Sequence, residues 1–529
     1  MGVNTKSFDN ASDMITFSRA SGAYGLTKVS YGNELVTNGD FATDSGWTKG
    51  AGWSISGGVA VSDGGSTYTE LSQSITGFDT DKVYKFCFNL VVNSGVARFF
   101  ADGTAYENLT SSGTYEYIIK PTSSAFSPRI QSRSPAFDGT VDNFSVKEVT
   151  YNSSAAGATL QLTYHPNDVP RIEYALDGTA KGLLVEEART NLITYSEDFT
   201  NSFWGTTYTT RTANTAIAPD GNTTADTITT TNSAFGCLVR NTSISYSAST
   251  TYTMSVYAKA GTASKVGIRV SGSCVASGDV YPTFDLNTGS FTTITPVGGT
   301  VVSGSAVNVG NGWWRLSVTY TTPSSAPAST TDFAITDDSN SVAYTPAGTE
   351  TIYLWGAQFE AGSFPTSYIK TEGATATRSA DVASIPVADF GYNQSEGTLF
   401  AEYKRFGSGN AWIAYLGESS NTYISLGNGN SGTAVRVQVN ENGTPQATLD
   451  TAIVSTGTVY KQVGAFKAND FSATENGNAV HTDTSGTLPD GITFLDIGEQ
   501  YGFYLNGHIK SIKYYPRRLT NAQLQELTT

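Results

Sequence analysis

The stretch PRIEYALDGTAKGLLVEEARTNLITYSEDFTNSFW, from Pro170 to Trp204, shows how the chain is organised. Residues 171–174 alternate polar and apolar side chains, which is the period of a half-buried strand. Leu176-Asp-Gly178 marks a turn, and Gly182-Leu-Leu-Val185 is typical of a second short strand. The rest of the chain divides into modules that come before, inside and after this segment.

Three polar residues in the same stretch, Glu187, Arg189 and Asn191, are spaced two apart. An extended chain places residues of that spacing on one face, where a carboxylate and a guanidinium can pair. We interpret the three as a structural tie that holds the connection between modules. The alternative is a catalytic group, because ionisable side chains also gather at active sites.

Composition indicates an all-β protein of several domains. With 529 residues the chain is too long for one core, and three or four domains are expected. Charged residues make up only 15%, whereas 54 Gly, 29 Tyr and 26 Phe favour strands and turns. We therefore predict tandem β-sandwich modules with very little helix.

The charge excludes one broad function class. A formal net charge of −15, without clusters of Lys and Arg, argues against sequence-independent binding of nucleic acid. No apolar run approaches the roughly 20 residues of a membrane span, so membrane insertion is not expected. The first residues, MGVNTKSFDNASDM, lack a basic segment followed by an apolar core, so no signal peptide is predicted.

Cysteine and histidine are too sparse for the common metal and hydrolase sites. Cys87, Cys237 and Cys274 show no CxxC spacing and do not form a disulfide framework, and Cys87 is predicted to be a buried apolar residue. The three histidines, His165, His481 and His508, are scattered and have no supporting motif. Neither a zinc site nor a Ser/His/Asp hydrolase is therefore predicted.

The segment after Pro170 resembles one common in tail-fibre and receptor-binding proteins of tailed bacteriophages, "PRIDY…GLLIEEARTNLL…SEDF…W". The matching residues are Pro170, Arg171, Ile172, Tyr174, Gly182, Leu183, Leu184, Glu186, Glu187, Ala188, Arg189, Thr190, Asn191, Leu192, Ser196, Glu197, Asp198, Phe199 and Trp204. "FDLNTG" from Phe284, "NGWWRLSVT" from Asn311 and "WGAQFEAGSFPTSYI" from Trp355 are similar to the same phage module. "LNGHIKSIKYYPRRLTNAQLQELT" from Leu505 resembles the end of a concanavalin A-like, laminin-G-like lectin domain.

These resemblances and the turn spacing suggest four domains. Residues 1–33 and 151–192 form a small N-terminal β unit for attachment, into which a jelly roll of residues 34–150 is inserted. A second jelly roll covers 193–372, and a concanavalin A-like lectin domain covers 382–529. The two jelly rolls share an opening Phe and Trp and a similar closing strand, which indicates diverged copies of one plan.

The inserted jelly roll resembles carbohydrate-binding modules whose first and last strands hold a structural calcium ion. The resemblance implies that Asn38 and Asp40 meet Asp142, an oxygen-rich set of the kind that Ca²⁺ prefers. The alternative is that Asp40 caps a turn, since three residues fall short of the 6–8 oxygens that calcium takes. No other cofactor is expected.

Sugar recognition needs flat apolar faces for pyranose C–H groups, with amides and carboxylates around them. The candidate glycan-binding rings are Trp47, Trp53 and Tyr68 in the first sandwich, Trp204, Trp313 and Trp314 in the second, and Trp412, Tyr415 and Tyr423 in the third. The adjacent Trp313 and Trp314 must point to opposite faces of a strand. For each ring the alternative is core packing, because sandwiches bury one face of every strand.

The resemblance implies a phage tail fibre or receptor-binding protein that recognises host surface polysaccharide or lipopolysaccharide. It also implies a homotrimer, contacts with other tail proteins, and a place in the virion tail that becomes extracellular after host lysis. One alternative is a structural decoration or adaptor protein without glycan binding. A glycan depolymerase is the third reading, and it requires two facing carboxylates that adjacent acids such as Asp337-Asp338 do not by themselves indicate.

Overall fold

The structure is a computed structural model that describes residues 15–232, 238–241, 244–270, 281–295, 299–325, 330–429 and 432–529. These residues form antiparallel sheets and one short α-helix, so the prediction of an all-β, multi-sandwich protein is confirmed. Cys237 and Cys274 lie outside the described residues. No helix within the described ranges is long and apolar enough to cross a membrane.

The strands up to residue 165 are β1 Thr16–Ser18, β2 Ala23–Glu34, β3 Thr48–Lys49, β4 Trp53–Ser56, β5 Val59–Asp63, β6 Glu70–Ser72, β7 Ile75–Thr76, β8 Val83–Ser94, β9 Ala97–Ala101, β10 Thr104–Leu109, β11 Gly113–Ile119, β12 Ala125–Phe126, β13 Arg129–Ser132, β14 Asp138–Tyr151 and β15 Thr159–His165. The middle strands are β16 Ile172–Tyr174, β17 Ala180–Val185, β18 Arg189–Asn191, β19 Gly205–Thr207, β20 Thr209–Ala216, β21 Ala225–Thr230, β22 Leu238–Asn241, β23 Thr251–Ala260, β24 Lys265–Arg269, β25 Thr283–Asp285, β26 Ser290–Thr292, β27 Thr300–Gly310, β28 Trp313–Thr321, β29 Thr331–Ile335, β30 Thr351–Ala361 and β31 Ala376–Arg378.

The remaining elements are β32 Val382–Pro386, a 3₁₀ turn at Val387–Asp389, β33 Glu396–Arg405, β34 Ala411–Ser419, β35 Thr422–Gly429, β36 Ala434–Glu441, β37 Thr444–Ile453, β38 Val459–Lys467, β39 Phe471–Glu475, β40 His481–Asp483, β41 Phe494–Ile497, β42 Glu499–Gln500, β43 Phe503–Tyr504, β44 Gly507–Tyr515 and α1 Asn521–Thr528.

The chain forms two compact units, residues 28–159 and residues 1–27 with 160–529. Residues 28–159 correspond to the predicted inserted jelly roll and extend a few residues beyond it at each end. One sheet has the order β10-β9-β13-β6-β3, and the other contains β11-β8-β14-β2 with β5 and β4 beside β14. The core between them is rich in aromatic rings, including Phe86, Phe88, Phe99 and Phe144.

The second sandwich lies in the larger unit. One sheet has the order β19-β22-β29-β24-β25-β26, and the other has the order β20-β21-β30-β23-β28-β27. Alternate residues of β23 and β28, such as Met254 and Leu316, are buried in the core between these sheets. Residues two apart in these strands therefore share the face that packs in this core, as the period of a strand requires.

The C-terminal sandwich has seven strands in each sheet, ordered β1-β32-β41-β34-β35-β36-β37 and β16-β17-β44-β33-β38-β39-β40. Its core lies between the sheets, where Leu426 and Val437 close over Gly464. The small chain-terminal helix α1 begins with a capping box between Thr520 and Gln523, as its sequence predicts.

The structure differs from the expectation of a separate N-terminal β unit. β1 pairs with β32, and β17 pairs with β44, so both belong to the sheets of the C-terminal sandwich. Ile172, Leu183 and Val185 are buried in that sandwich's core. The physical reason is size, because strands of three to six residues cannot enclose an apolar core by themselves.

Candidate functional site

The tryptophans predicted as sugar-binding rings in the inserted jelly roll are buried. Trp47 packs against Phe41 and Phe144, with ring centroids 5.0 and 5.2 Å away, and its Nε1 donates to the Asn38 carbonyl at 2.9 Å. Trp53 is also in the core, 5.9 Å from the Phe137 ring. Their faces are covered by the protein itself, so neither offers a platform to a ligand in this conformation.

Tyr68 is the exposed member of the first group. Its side chain is 59% exposed, its φ is 61°, and the Arg133 guanidinium lies 4.8 Å from the ring centroid. One ring face is thus occupied by a cation, and among the described residues no other aromatic ring packs against Tyr68.

The second sandwich also buries its tryptophans. Trp204 donates from Nε1 to the Tyr195 carbonyl at 2.9 Å, and Trp313 donates to the Ile217 carbonyl at 3.0 Å. Trp314 points to the face opposite Trp313, as strand alternation requires, and is half-buried against the sandwich core. The face that carries Trp313 is covered by Trp355 and other apolar groups, so burial there comes from a second layer that the strand pattern does not reveal.

The three predicted calcium ligands take part in turns. Asn38 accepts from Thr43 N through Oδ1 at 3.1 Å and donates from Nδ2 to two carbonyl oxygens. Asp40 accepts from the backbone of Ala42 at 3.4 Å, and Asp142 accepts from the backbone and side chain of Asn143. Across the described residues no group of three or more His, Cys, Asp or Glu is arranged to hold a metal ion. The calcium site stays a prediction.

The three rings predicted in the C-terminal sandwich come together. The Trp412 centroid lies 5.6 Å from Tyr415 and 5.8 Å from Tyr423, and Tyr415 and Tyr423 stack at 4.8 Å. Tyr501 and Phe503 extend the group at 6.0 Å from Tyr415 and 6.4 Å from Trp412. We call these five rings the aromatic platform.

The platform lies on the face of the β34–β35 sheet that is turned away from the core. Ile413, Ala414 and Leu416 of β34 fill the core, and a bulge between Trp412 and Ala414 allows Trp412 and Tyr415 to share the other face. Tyr415 and Tyr423 are buried under their neighbours, and Trp412 is half-buried. Tyr501 and Phe503 are 49% and 42% exposed, so they form the accessible surface together with Trp412.

Glycine lets the rings lie close to the sheet. A Cβ at Gly427 would stand 2.8 Å from Trp412 Cε3, and a Cβ at Gly417 would overlap the Tyr415 ring. Such distances are not tolerated between real side chains, so both positions need hydrogen in place of a side chain. The glycines therefore shape the platform, although they contribute no chemistry of their own.

A tight hairpin carries the exposed rings. Gln500 pairs with Phe503, and the two residues between them, Tyr501 and Gly502, have φ values of 52° and 80°. Two positive φ values in a two-residue loop are typical of a type I′ turn, whose twist matches that of its strands. The turn projects Tyr501 outward and sets Phe503 beside Trp412. The EQYGFY sequence contains the Tyr-Gly turn, but it was not identified as a site from the sequence.

Two carboxylates border the platform. Asp496 stands opposite Tyr415 in the β34–β41 pairing, and its carboxylate accepts from the Gln500 side-chain amide. Burial, reinforced by nearby Glu499, raises the pKa of Asp496 to about 7. Burial also raises the pKa of Glu499, which accepts from Gly502 N at 3.1 Å. Among the described residues, no Lys or Arg forms an ion pair with either carboxylate.

Arg436 and Asp450 form a bidentate pair with Nε–Oδ1 and Nη2–Oδ2 distances of 2.6 and 2.8 Å. They lie on β36 and β37, the strands that follow the platform strand β35 in the sheet. The pair leaves Arg436 already neutralised, so we do not assign it to a ligand.

The predicted structural tie makes several contacts. Glu187 accepts from Arg189 Nε at 2.7 Å. Asn191 is buried, donates to the carbonyls of Ala357 and Ile369, and accepts from the amides of Ile193 and Phe359. The asparagine thereby joins β18 to the end of the second sandwich with every hydrogen-bonding position of its amide in use.

A larger buried network lies next to this tie and was missed by the sequence reasoning. We call it the arginine cluster: Arg19, Arg171, Arg378, Glu186 and Asp381, whose side chains are all at most 3% exposed. Arg171 bonds Glu186 at 2.9 Å and Asp381 at 2.5 Å, and Arg19 bonds Asp381 at 3.1 Å. Burial alone would raise the pKa of Glu186, but Arg378 and Arg171 outweigh it and hold the pKa at about 2.

The histidines do not form a common site. His165 is buried, and burial with nearby Arg19 lowers its pKa well below the ordinary value. His508 Nε2 lies 2.8 Å from Glu173 Oε2, and His481 is exposed on β40. Cys87, on β8, is half-buried, and burial raises its thiol pKa to about 11, which leaves it unreactive at neutral pH.

No family model and no curated protein sequence matches this chain. Similar solved structures include domain 4 of AbnA, a GH43 extracellular arabinanase from Geobacillus stearothermophilus, in complex with arabinotriose. It has 13% identity and a TM-score of 0.24 over 32% of this chain and 83% of that one. The CBM22-1-CBM22-2 tandem domain of Paenibacillus barcinonensis Xyn10C has 14% identity and a TM-score of 0.22, covering 62% and 98%.

Trypanosoma rangeli sialidase has 10% identity and a TM-score of 0.23, covering 87% of this chain and 82% of that one. With TM-scores of 0.22–0.24, these similarities carry no argument about the fold or the function of this chain.

Proposed function

We propose that this protein binds a glycan through the aromatic platform of its C-terminal sandwich. Trp412, Tyr501 and Phe503 supply accessible ring surface, against which the C–H faces of pyranose rings stack. Asp496, Glu499 and Gln500 lie beside these rings and bind the sugar hydroxyl groups. Flat apolar faces with a few polar groups at the edge are the combination that saccharide recognition requires.

The observation that carries the proposal is the environment of the two carboxylates. Asp496 and Glu499 are partly desolvated, as their raised pKa values indicate, and no cation compensates them among the described residues. A desolvated carboxylate is stabilised when it accepts from a donor. Sugar hydroxyl groups are such donors, and the rings beside the carboxylates orient a sugar toward them.

The finer proposal is a receptor-binding role on a phage tail, with host surface polysaccharide or lipopolysaccharide as the ligand. It is supported by the resemblance of the Pro170–Trp204 sequence to a segment of phage tail-fibre and receptor-binding proteins. The same proposal includes a homotrimer, neighbouring tail proteins as partners, and release from the host by lysis. Binding without cleavage is part of it, and the alternative is a decoration or adaptor protein in which the platform contacts another protein.

The test is a microarray of bacterial polysaccharides and lipopolysaccharides, probed with the purified, labelled chain. The Trp412→Ala variant should bind about 10- to 100-fold more weakly, equivalent to about 1.4–2.8 kcal/mol, because it removes the central ring of the platform. Tyr68→Ala is the matched control, since Tyr68 is an exposed ring outside the platform that contacts the Arg133 guanidinium, and it should bind like the unmodified chain.

Periodate oxidation of the arrayed glycans should abolish binding, because it destroys the vicinal hydroxyl groups. An unmodified chain that binds no glycan at micromolar concentration would contradict the proposal. So would a Trp412→Ala variant of full affinity, which would move recognition to another part of the molecule.

A further inference from the structure

A second candidate site is a cleft of about 840 Å³ within the larger unit. One wall belongs to β27 and β28 of the second sandwich, and the facing wall belongs to β33 and β44 of the C-terminal sandwich. Its volume falls within the roughly 300–1,000 Å³ of small-molecule sites. The residues of the aromatic platform do not line it, so the two sites are separate.

The cleft has a positive balance in an acidic protein. Four basic side chains line it, Lys181, Arg315, Lys404 and Lys510, whereas the chain as a whole carries −15. Three carboxylates also line it, and each already has a partner. A local excess of cations in a concave site attracts anionic ligands even when the whole protein is negative.

The partners of those carboxylates are close. Glu173 bonds His508 at 2.8 Å, Glu186 bonds Arg171 at 2.9 Å, and Glu402 bonds Lys510 at 2.9 Å. Lys181 and Lys404, by contrast, form no ion pair with any carboxylate in the part of the chain that the structure describes. Lys181 contributes, after His508, to lowering the pKa of Glu173. Because neither ammonium group lies within ion-pair distance of a described carboxylate, both can bind an anionic ligand.

The wall opposite the lysines presents hydroxyl groups. Ser303 and Ser305 of β27 line the cleft and are exposed, whereas their partners on β28, Thr319 and Ser317, are buried. Val307 and Val459 line the cleft and are 47% and 49% exposed. Hydroxyl groups and small apolar surfaces together fit a saccharide better than they fit a purely apolar ligand.

We infer that this cleft binds an acidic oligosaccharide, with the sugar carboxylate held by Lys181 and Lys404 and the sugar hydroxyl groups held by Ser303 and Ser305 of β27. Two lysines are too few for a polyphosphate backbone, which needs an extended row of cations. The inference does not require the platform to bind the same ligand.

The test is isothermal titration calorimetry of the full chain with tri-galacturonate, and with the methyl ester of that trisaccharide as a neutral ligand of the same skeleton. The unmodified chain should bind the acid at least tenfold more tightly than the ester. The double variant Lys181→Gln/Lys404→Gln should lose at least tenfold affinity for the acid and keep its affinity for the ester. Lys467→Gln, an exposed lysine on the same sandwich, is the charge control and should bind like the unmodified chain.

Trp412→Ala separates this inference from the proposed function. Its affinity for tri-galacturonate should be unchanged if the cleft is the site. Equal binding of acid and ester, full acid affinity in the double lysine variant, or loss of acid binding in Trp412→Ala alone would each overturn the inference. If the unmodified chain does not bind tri-galacturonate at 10 mM, the inference is overturned as well. Circular dichroism checks that the double variant is folded.

Discussion

In most proteins charged side chains are exposed and large apolar side chains are buried. The arginine cluster and the aromatic platform depart from this distribution in opposite ways. The cluster buries five charged groups, and the platform leaves large apolar rings at the surface. In the cluster each carboxylate contacts at least two guanidinium groups, whereas on the platform Asp496 and Glu499 have only amide donors.

This difference between the cluster and the platform indicates where a ligand can bind. Charged groups that are already paired within the chain are not available to bind a ligand. Those of the cluster instead connect Arg19, Arg171 and Asp381 across long sequence distances. Rings and carboxylates that the chain leaves incompletely covered gain from a partner. Four substitutions would break or sharpen this comparison.

The largest effect is expected for Arg171→Met. It removes the guanidinium that bonds both Glu186 and Asp381, so among the described residues Glu186 keeps only its 3.6 Å ion pair with Arg378, and both buried carboxylates lose a charged hydrogen bond. The free energy of unfolding should fall by about 3–5 kcal/mol, measured by urea denaturation of the larger unit. Lys467→Met, at an exposed pair of 3.9 Å with Glu396, should change it by less than about 1 kcal/mol. A cluster variant as stable as the control would show that the cluster is not structural.

A smaller loss is expected for Gly417→Val. The added side chain overlaps the Tyr415 ring, so either the ring or the strand must shift. We expect a loss of about 1–3 kcal/mol in stability, measured by thermal unfolding, together with weaker glycan binding. Gly113→Val, where a Cβ would meet nothing within 4 Å, is the control. Unchanged stability and binding would mean that the glycine does not shape the platform.

Phe503→Ala tests the platform without disturbing its support. The ring is 42% exposed and touches the Trp412 ring at 6.4 Å between centroids, so its removal should cost little stability. Glycan affinity should fall by about tenfold, or ~1.4 kcal/mol, in a titration with the glycan identified on the array. A tenfold loss with an unchanged melting temperature would separate recognition from folding at this site.

Asp496→Asn should have the smallest effect and a defined pH dependence. Because burial raises the pKa of Asp496 to about 7, the folded state holds its proton between about pH 4 and 7 while the unfolded state releases it. The carboxyl group of Asp496 therefore lowers the free energy of unfolding progressively as the pH rises through this range. Above about pH 7 this loss stays constant. With the partial exposure of the group taken into account, the gain of the Asn variant should reach about 1 kcal/mol at pH 8 and vanish near pH 3.

Differential scanning calorimetry at pH 3, 5, 7 and 8 measures this difference. Asp338→Asn, a fully exposed carboxylate, is the control and should show no such trend. Asp220 and Asp226, whose pKa values of about 7 and about 6 also fall in this window, are present in both proteins, so their contributions cancel. A pH-independent difference would show that Asp496 is not desolvated beside the platform.

Short-range sequence signals predicted the fold class well. Alternation over residues 171–174 predicts a strand, which the structure shows as β16. Thr520 followed by Gln523 is the sequence pattern of a capping box, and Asn442-Gly443 is that of a two-residue hairpin turn, and the structure contains both. These signals succeed because the geometry that they predict is determined within a few residues.

The site was only partly predictable. Trp412, Tyr415 and Tyr423 were candidates, but so were Trp47, Trp204 and Trp313, which are buried. Alternation shows which face of a strand a ring occupies, but it does not show whether another layer covers that face. The arginine cluster was missed for a related reason, because Arg171 and Asp381 are 210 positions apart and only the fold brings them together.

The pairing of β1 with β32 has a consequence for synthesis. Thr16 pairs with Ser384. At the roughly 5–20 residues per second of translation, Ser384 is synthesised about 20–70 s after Thr16. During that time β1 lacks the strand that it pairs with, and contacts of such long range also slow folding once the chain is complete. An excised fragment of residues 382–529 would lack β1, β16 and β17 and would expose two sheet edges. We therefore expect that fragment to aggregate, whereas co-expression with the missing strands should keep it in solution.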